Sequence, residues 1–137
     1  MHVNGFNFIG GQRSALGDTL VYSIDAHTGE QLAGGFHQAT LTEVDNAVAA
    51  ASAAFPPFRN LPAVRRAEFL EAIADELDAL GEDFVNLTCQ ETALPSARIQ
   101  GERGRTSGQM RLFAKVLRRG DFYGARIDQA LPARTPL

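Results

Sequence analysis

The chain has 137 residues and a mass of 14.8 kDa, about the size of one domain, with the 45% apolar and 21% charged composition of a globular protein. A net charge of −3 and a single cysteine exclude a uniformly basic nucleic-acid binder, a disulfide framework and a cysteine-based zinc cluster. The longest uncharged stretch, residues 46–58, is shorter than the roughly 20 residues that cross a bilayer. Without a signal-peptide pattern at the amino terminus, we expect a cytoplasmic protein.

The first forty residues are predicted to form strands only. Extended segments at 6–9, 19–24 and 31–37 are rich in β-branched and aromatic residues or lie between turns. Gly10-Gly11 has the composition of a tight turn, and D-A-H-T-G-E at 25–30 forms a second turn. Residues 1–40 are therefore predicted to be a short β-meander.

The period of the sequence changes to that of a helix at Thr40. Thr40 and Glu43 have the spacing of a capping box, and Pro56-Pro57 is expected to end this first helix. Its apolar stripe comprises Val44, Val48, Ala51 and Phe55.

Two further helices are predicted. The second begins near Pro62, is interrupted at Gly81 and continues to about Thr92, and the third runs from Pro95 to about Arg119, with Gly120 as its stop. The expected buried face of the second helix comprises Leu70, Ile73, Leu77 and Leu80. The chain thus divides into a meander at 1–40, a segment of three helices at 41–120 and an irregular tail at 121–137, a mainly α member of the α+β class.

Charge is unevenly distributed over the last two helices. Residues 71–91 carry seven acids and no base, whereas residues 98–119 carry seven bases and one acid, Glu102. Two solvated helix faces that complement each other explain this pattern. The alternative is a basic helix that binds nucleic acid or another anionic ligand, although Phe113 is the only aromatic residue there for base stacking.

Three glycines share one face of the third helix. Gly101, Gly104 and Gly108 each cost about 1 kcal/mol relative to alanine in a helix interior. Close approach of another backbone is the usual reason for such a pattern, and the second interpretation is that the bare face borders a ligand passage. The spacing is not that of a dinucleotide fingerprint.

The residues that most often carry catalysis are few. Cys89 lies in an acidic segment that opposes thiolate formation, so we interpret it as a core residue. The histidines, His2, His27 and His37, have no metal-ligand spacing. The residues by themselves therefore predict no catalytic, cofactor-binding or metal-binding group.

Five segments in series resemble the amino-terminal part of NAD(P)-dependent aldehyde dehydrogenases. They are D-A-H-T-G-E at 25–30, A-T-L-T-E-V-D-N-A-V-A-A-A-S-A-A-F at 39–55, R-R-A-E-F-L-E-A-I-A-D-E-L at 65–77, E-T-A-L-P at 91–95 and R-I-Q-G-E-R-G-R-T-S-G-Q-M-R-L-F-A at 98–114. The last is most similar to the subgroup that acts on α-ketoglutarate semialdehyde (2,5-dioxovalerate).

The resemblance implies a much longer parent enzyme of the Rossmann-type α/β class, with NADP or NAD as cofactor and a homo-oligomeric assembly. In that family a cysteine attacks the aldehyde, an Asn and a backbone amide hold the oxyanion, and a Glu activates water. All of these groups lie beyond residue 137 in the family's order, and Cys89 does not match the nucleophile's motif. The resemblance therefore implies an inactive fragment whose partners are the rest of the chain and, in the parent, a small aldehyde, with no membrane or nucleic acid.

In the family, the helix that follows the E-T-G-K-P motif lines the substrate tunnel. The resemblance implies that Arg105 orients the distal carboxylate of the semialdehyde, with Gln109, Arg111 and Glu102 as neighbours. Two other functions remain open. One is a free-standing helical interaction module that uses the alanine-rich first helix and the glycine face, and the other is an anion or nucleic-acid binder that uses residues 98–119.

Overall fold

The computed structural model describes residues 4–135 and contains two β-hairpins followed by four helices. The strands are β1 (Asn7–Ile9), β2 (Gln12–Ser14), β3 (Leu20–Ile24) and β4 (Gln31–His37). The helices are α1 (Leu41–Arg59), α2 (Ala63–Ala79), α3 (Gly81–Thr92) and α4 (Ser96–Arg119), and a 3-10 turn (Asp121–Tyr123) follows. The mainly helical α+β class predicted for the chain is confirmed.

The strands form two separate antiparallel pairs, β1–β2 and β3–β4, which corrects the predicted single meander. Gly10 and Gly11 both adopt positive φ, 57° and 81°, as a two-residue hairpin turn requires. This turn creates β2, a polar Q-R-S strand that lacks the β-branched residues by which strands are recognised. At the second turn, the Asp25 carboxylate accepts hydrogen bonds from the backbone N–H groups of His27 and Thr28, at 2.8 and 3.1 Å.

Helix α1 begins where the capping box predicts. Thr40 is its N-cap, and the reciprocal hydrogen bonds between Thr40 and Glu43 are both present. The helix continues through Pro56 and Pro57 to Arg59, so the prediction that these prolines end it is wrong. The fixed φ of proline is itself helical. Each proline removes a hydrogen-bond donor and its ring crowds the preceding turn, and the helix ends within two residues of Pro57, at Arg59.

The second predicted helix is two helices, so the segment contains four and not three. Gly81 has a φ of 62°, a left-handed conformation that interrupts α-helical geometry and that glycine adopts without steric cost. The guanidinium of Arg103 donates a hydrogen bond of 2.7 Å to the Gly81 carbonyl. The interruption that the sequence indicated at Gly81 therefore separates α2 from α3 completely.

The core lies mainly where α2 packs against α4, and small side chains dominate it. The buried residues of α2, α3 and α4 are Ala67, Ala74, Val85, Ile99, Ser107 and Ala114. The larger residues predicted for the buried face of α2 contribute less, since Ile73 and Leu80 remain 36% and 40% exposed. Small residues allow two helix backbones to approach closely, so the alanines rather than the leucines lie at the contact.

Helix α4 ends at Gly120, which adopts the predicted left-handed C-cap conformation with a φ of 70°. Beyond the 3-10 turn, residues 124–135 form no further helix or strand. No helix within residues 4–135 combines the length and apolarity needed to cross a bilayer.

Candidate functional site

The two sides of α4 differ completely in their surroundings. Ile99, Ser107 and Ala114 are buried on one side, and the 100° rotation per residue of an α-helix places Gly101 and Gly108 about 130–150° around the axis from their mean direction and Gly104 about 90° from it. A Cβ atom added to Gly101, Gly104 or Gly108 would meet no heavy atom within 4 Å. The close backbone approach that the glycines predicted is therefore not made by any element of residues 4–135.

A group of three charged side chains borders this open glycine face. Glu102 Oε1 lies 2.7 Å from Nη2 of Arg98, and Glu102 Oε2 lies 2.5 Å from Nη2 and 2.9 Å from Nε of Arg105. The hydrogen bonds and charges of the two guanidiniums, Arg105 first, hold the pKa of Glu102 below its usual value. The side chains of Arg98 and Arg105 are 63% and 76% exposed. Glu102 thus stays ionised between two solvent-facing arginines.

The other two residues expected at a substrate tunnel lie differently. Gln109 is exposed and follows Arg105 by four residues, so both lie on the open side of α4. Arg111 instead faces α2, where its guanidinium pairs with Asp75 at 2.7 Å and with Asp78 at 2.9 Å. The hydrogen bond from Arg111 lowers the pKa of Asp78. The structure therefore pairs Glu102 with Arg105, places Gln109 on the same side of α4 and separates Arg111 from them.

The expected complementarity of the acidic and basic helices is present. Besides the two pairs of Arg111, Arg118 Nη2 lies 2.5 Å from Glu71 Oε2, so ion pairs connect α4 to α2 at both arginines. Arg119 pairs with Asp121, and Arg103 donates a hydrogen bond to the carbonyl of Gly81, the first residue of α3. Most bases of residues 98–119 thus have acceptors within the chain itself.

Other titratable residues form no second site within the described part of the chain. No group of three or more His, Cys, Asp or Glu side chains has metal-binding geometry among residues 4–135. Cys89 is half-buried in α3, and Nδ1 of His37 lies 3.0 Å from the carbonyl oxygen of Gly17. His2 lies outside the described residues. Sequence reasoning did not select Arg98 for the tunnel, although its i, i+4 spacing from Glu102 was a readable signal.

Comparison with known proteins assigns the class. The model of the aldehyde dehydrogenase family matches residues 13–136, nearly the whole chain, and the chain therefore belongs to that family.

The chain is also similar to two enzymes of this family and to one solved structure. The chain is 50% identical over 134 residues to alpha-ketoglutaric semialdehyde dehydrogenase of Acinetobacter baylyi, covering 98% of this chain and 26% of the relative. It is 46% identical to alpha-ketoglutaric semialdehyde dehydrogenase 2 of Azospirillum brasilense, again covering 26% of the relative. A crystal structure of an NAD-dependent benzaldehyde dehydrogenase from Corynebacterium glutamicum has the same fold over 84% of this chain and 25% of its own, with a TM-score of 0.75 and 22% identity. The chain spans about a quarter of the length of these proteins.

Proposed function

We propose that this chain is the amino-terminal quarter of an NAD(P)-dependent aldehyde dehydrogenase that oxidises α-ketoglutarate semialdehyde to 2-oxoglutarate. The observation that carries the proposal is the 50% identity to a relative of that name, sustained over 98% of the chain. The run of residues at 98–114 in α4, which resembles the subgroup that acts on this semialdehyde, supports the same substrate. A homo-oligomeric parent remains a prediction.

The accessible surface of the chain supports a larger protein around it. The chain exposes 10423 Å², whereas a folded monomer of 14.8 kDa is expected to expose about 7,000 Å². The excess, roughly 3,400 Å², is several times the ~800 Å² that one partner contributes to a standard interface. A second copy bound through one interface would leave most of this excess exposed. The remainder of the enzyme polypeptide is therefore the partner that we assign to these surfaces.

The described residues do not fit a dinucleotide cofactor. Their strands pair only antiparallel, and Gly101, Gly104 and Gly108 lie inside α4. A dinucleotide site instead presents the N–H groups of a glycine-rich turn and a helix N-terminus to the pyrophosphate. We assign the binding of NAD or NADP, and the nucleophile and general base, to the remainder of the polypeptide. This chain alone is expected to be inactive.

The contribution of this segment to the reaction is the orientation of substrate. The semialdehyde carries a carboxylate at the end distant from the aldehyde, and a guanidinium binds a carboxylate through charge-assisted hydrogen bonds. Arg105 is exposed on the open side of α4, where its guanidinium pairs with Glu102 at 2.5 Å and is accessible to a ligand. Gln109 extends the same polar row. Arg111 stays in the proposal as a weaker neighbour, because its guanidinium already pairs with α2.

The proposal is tested by Arg105→Ala in a full-length enzyme that carries this segment. We expect KM for the semialdehyde to rise about tenfold, because a hydrogen bond to a charged group is lost. KM for pentanal, which lacks the carboxylate, should not change. Steady-state kinetics with both aldehydes measure the difference.

Arg65→Ala is the matched control for this experiment. Arg65 is 66% exposed and forms an i, i+3 pair with Glu68 at 2.5 Å on α2, which reproduces the setting of Arg105 away from the open side of α4. The control should leave both KM values unchanged. An unchanged KM for the semialdehyde in Arg105→Ala would reject the role assigned to Arg105.

A further inference from the structure

The arrangement around Glu102 contains a second guanidinium that faces the same space as Arg105. Arg98 and Arg105 are seven residues apart, which is two turns and ~10 Å along the helix axis. Both bind the one carboxylate of Glu102, Arg98 at Oε1 and Arg105 at Oε2. The two side chains therefore converge on an anion of carboxylate size that lies between them.

This pair of arginines keeps an excess of positive charge and of donors. Two guanidiniums and one carboxylate leave a net charge of +1, since Glu102 is held in its ionised form by its two partners. Each guanidinium has five N–H donors, whereas a single carboxylate has about four acceptor positions. Glu102 pairs with both side chains without satisfying all of their donors, so a second carboxylate can bind to the same pair.

The side of the pair that is turned away from Glu102 is open. Gly101 lies between Arg98 and Arg105 along the helix, about 100° around the axis from Glu102. It has no side chain, and the position of its missing Cβ has no neighbouring heavy atom within 4 Å. A ligand carboxylate that approaches over Gly101 would have Arg98 on one side along the helix axis and Arg105 on the other.

We propose that Arg98 and Arg105 form a two-arginine clamp over Gly101 that binds the distal carboxylate of the substrate, with Glu102 as the positioning residue. This proposal rests on the proposed function, because it concerns the same substrate carboxylate that is assigned there to Arg105. It adds Arg98 as a specificity-determining residue. The clamp favours aldehydes that carry a terminal carboxylate over neutral aldehydes of the same length.

The test is Arg98→Gln in a full-length enzyme that carries this segment, with Arg65→Gln as the matched control. We expect KM for the semialdehyde to rise about fivefold with kcat unchanged, because one of two charged partners of the carboxylate is lost. KM for pentanal should stay constant in both variants. As a measurement of binding without turnover, the inhibition constant of 2-oxoglutarate, which retains that carboxylate, should rise by the same factor.

The outcomes separate this inference from the proposed function. If Arg105→Ala raises KM for the semialdehyde and Arg98→Gln does not, the clamp is rejected and the role of Arg105 stands. If neither variant changes KM for the semialdehyde, both the clamp and the role of Arg105 are rejected. If Arg98→Gln raises KM for pentanal equally, Arg98 acts on the tunnel as a whole and the clamp is again rejected. Far-UV circular dichroism of each variant checks that the enzyme remains folded.

Discussion

Glu43 is the residue whose surroundings are most specific. Its side chain is 1% exposed, and Oε1 accepts hydrogen bonds from the Ser14 hydroxyl at 2.5 Å and the Leu16 N–H at 3.2 Å. Oε2 accepts from the N–H and hydroxyl of Thr40, at 2.8 and 3.0 Å. These bonds, that of Ser14 first, lower the pKa of Glu43 to about 2. One carboxylate thus fixes both the start of α1 and its position against the first hairpin.

The pH dependence of this connection follows from the direction of the shift. Because the pKa of Glu43 is lower in the folded state, its contribution is fully present above the ordinary value of 4.5 and is lost as pH falls toward about 2. We expect the protection factors of the Leu16 and Thr40 amides in hydrogen exchange to fall through that interval. Glu43→Gln should lower them already at pH 7, because a neutral amide accepts more weakly.

Glu68→Gln is the control for this prediction, since Glu68 forms an exposed pair with Arg65 on α2, away from the first hairpin. It should leave the Leu16 and Thr40 amides unchanged. If the Leu16 and Thr40 amides are as strongly protected in Glu43→Gln as in the unsubstituted chain at pH 7, Glu43 does not hold the first hairpin against α1.

At the scale of elements, the contact between α2 and α4 combines two kinds of interaction. Buried alanines and a serine form its centre, and ion pairs of Arg111 and Arg118 lie along its partly exposed edge. Exposed ion pairs contribute little because water and salt screen them, whereas enlargement of a buried small residue forces neighbouring atoms apart. Packing at the alanines should therefore dominate the stability of the helix pair.

Ala74→Leu tests this ranking. Ala74 has no exposed surface, so the larger side chain should lower the free energy of unfolding by about 1–3 kcal/mol. Arg118→Ala, which removes the pair with Glu71, should lower it by less. Urea titration of both variants, monitored by the helical signal in circular dichroism, measures which substitution lowers the free energy of unfolding more. A greater loss in Arg118→Ala would show that the ion pairs dominate.

At the scale of the whole molecule, apolar surface remains exposed on several sides. Val48 and Phe55 of α1 are 64% and 59% exposed, and the open glycine face lies on α4. Contiguous exposed apolar patches mark surfaces that contact other protein. This distribution suits a segment that the proposed remainder of the enzyme surrounds.

Alanine substitutions at Gly104 and Gly108 should change stability in opposite directions in the 137-residue chain and in the full-length enzyme. In the 137-residue chain the added methyl groups meet nothing, so each should raise helix stability by about 0.5–1 kcal/mol. In the full-length enzyme the same methyl groups should destabilise, because the proposed remainder of the polypeptide packs on Gly104 and Gly108 and leaves no room for them.

Thermal unfolding of the segment and of the full-length enzyme shows whether each substitution raises or lowers the melting temperature. Gly120→Ala is the control, because the left-handed conformation at Gly120 makes alanine unfavourable in either polypeptide. Stabilisation by Gly104→Ala in both polypeptides would mean that nothing covers the glycine face.

The sequence by itself determined the features whose signals are local. The capping box at Thr40 and Glu43, the glycine turn at 10–11 and the C-cap at Gly120 could be predicted because a few neighbouring residues satisfy the backbone there. The linear series of motifs at 25–114 likewise indicated the aldehyde dehydrogenase family.

Only the tertiary structure decided the features that depend on distant residues. It placed Arg111 against α2. It showed that alanines rather than leucines are buried between α2 and α4, and that no described residue covers the glycine face. The side of a helix that becomes buried depends on the element that packs there, and periodicity does not identify that element. The Glu43 contact with Ser14 spans 29 residues, and the separation of α2 from α3 required the actual φ of Gly81. Such features follow from packing and chain direction, which no local pattern encodes.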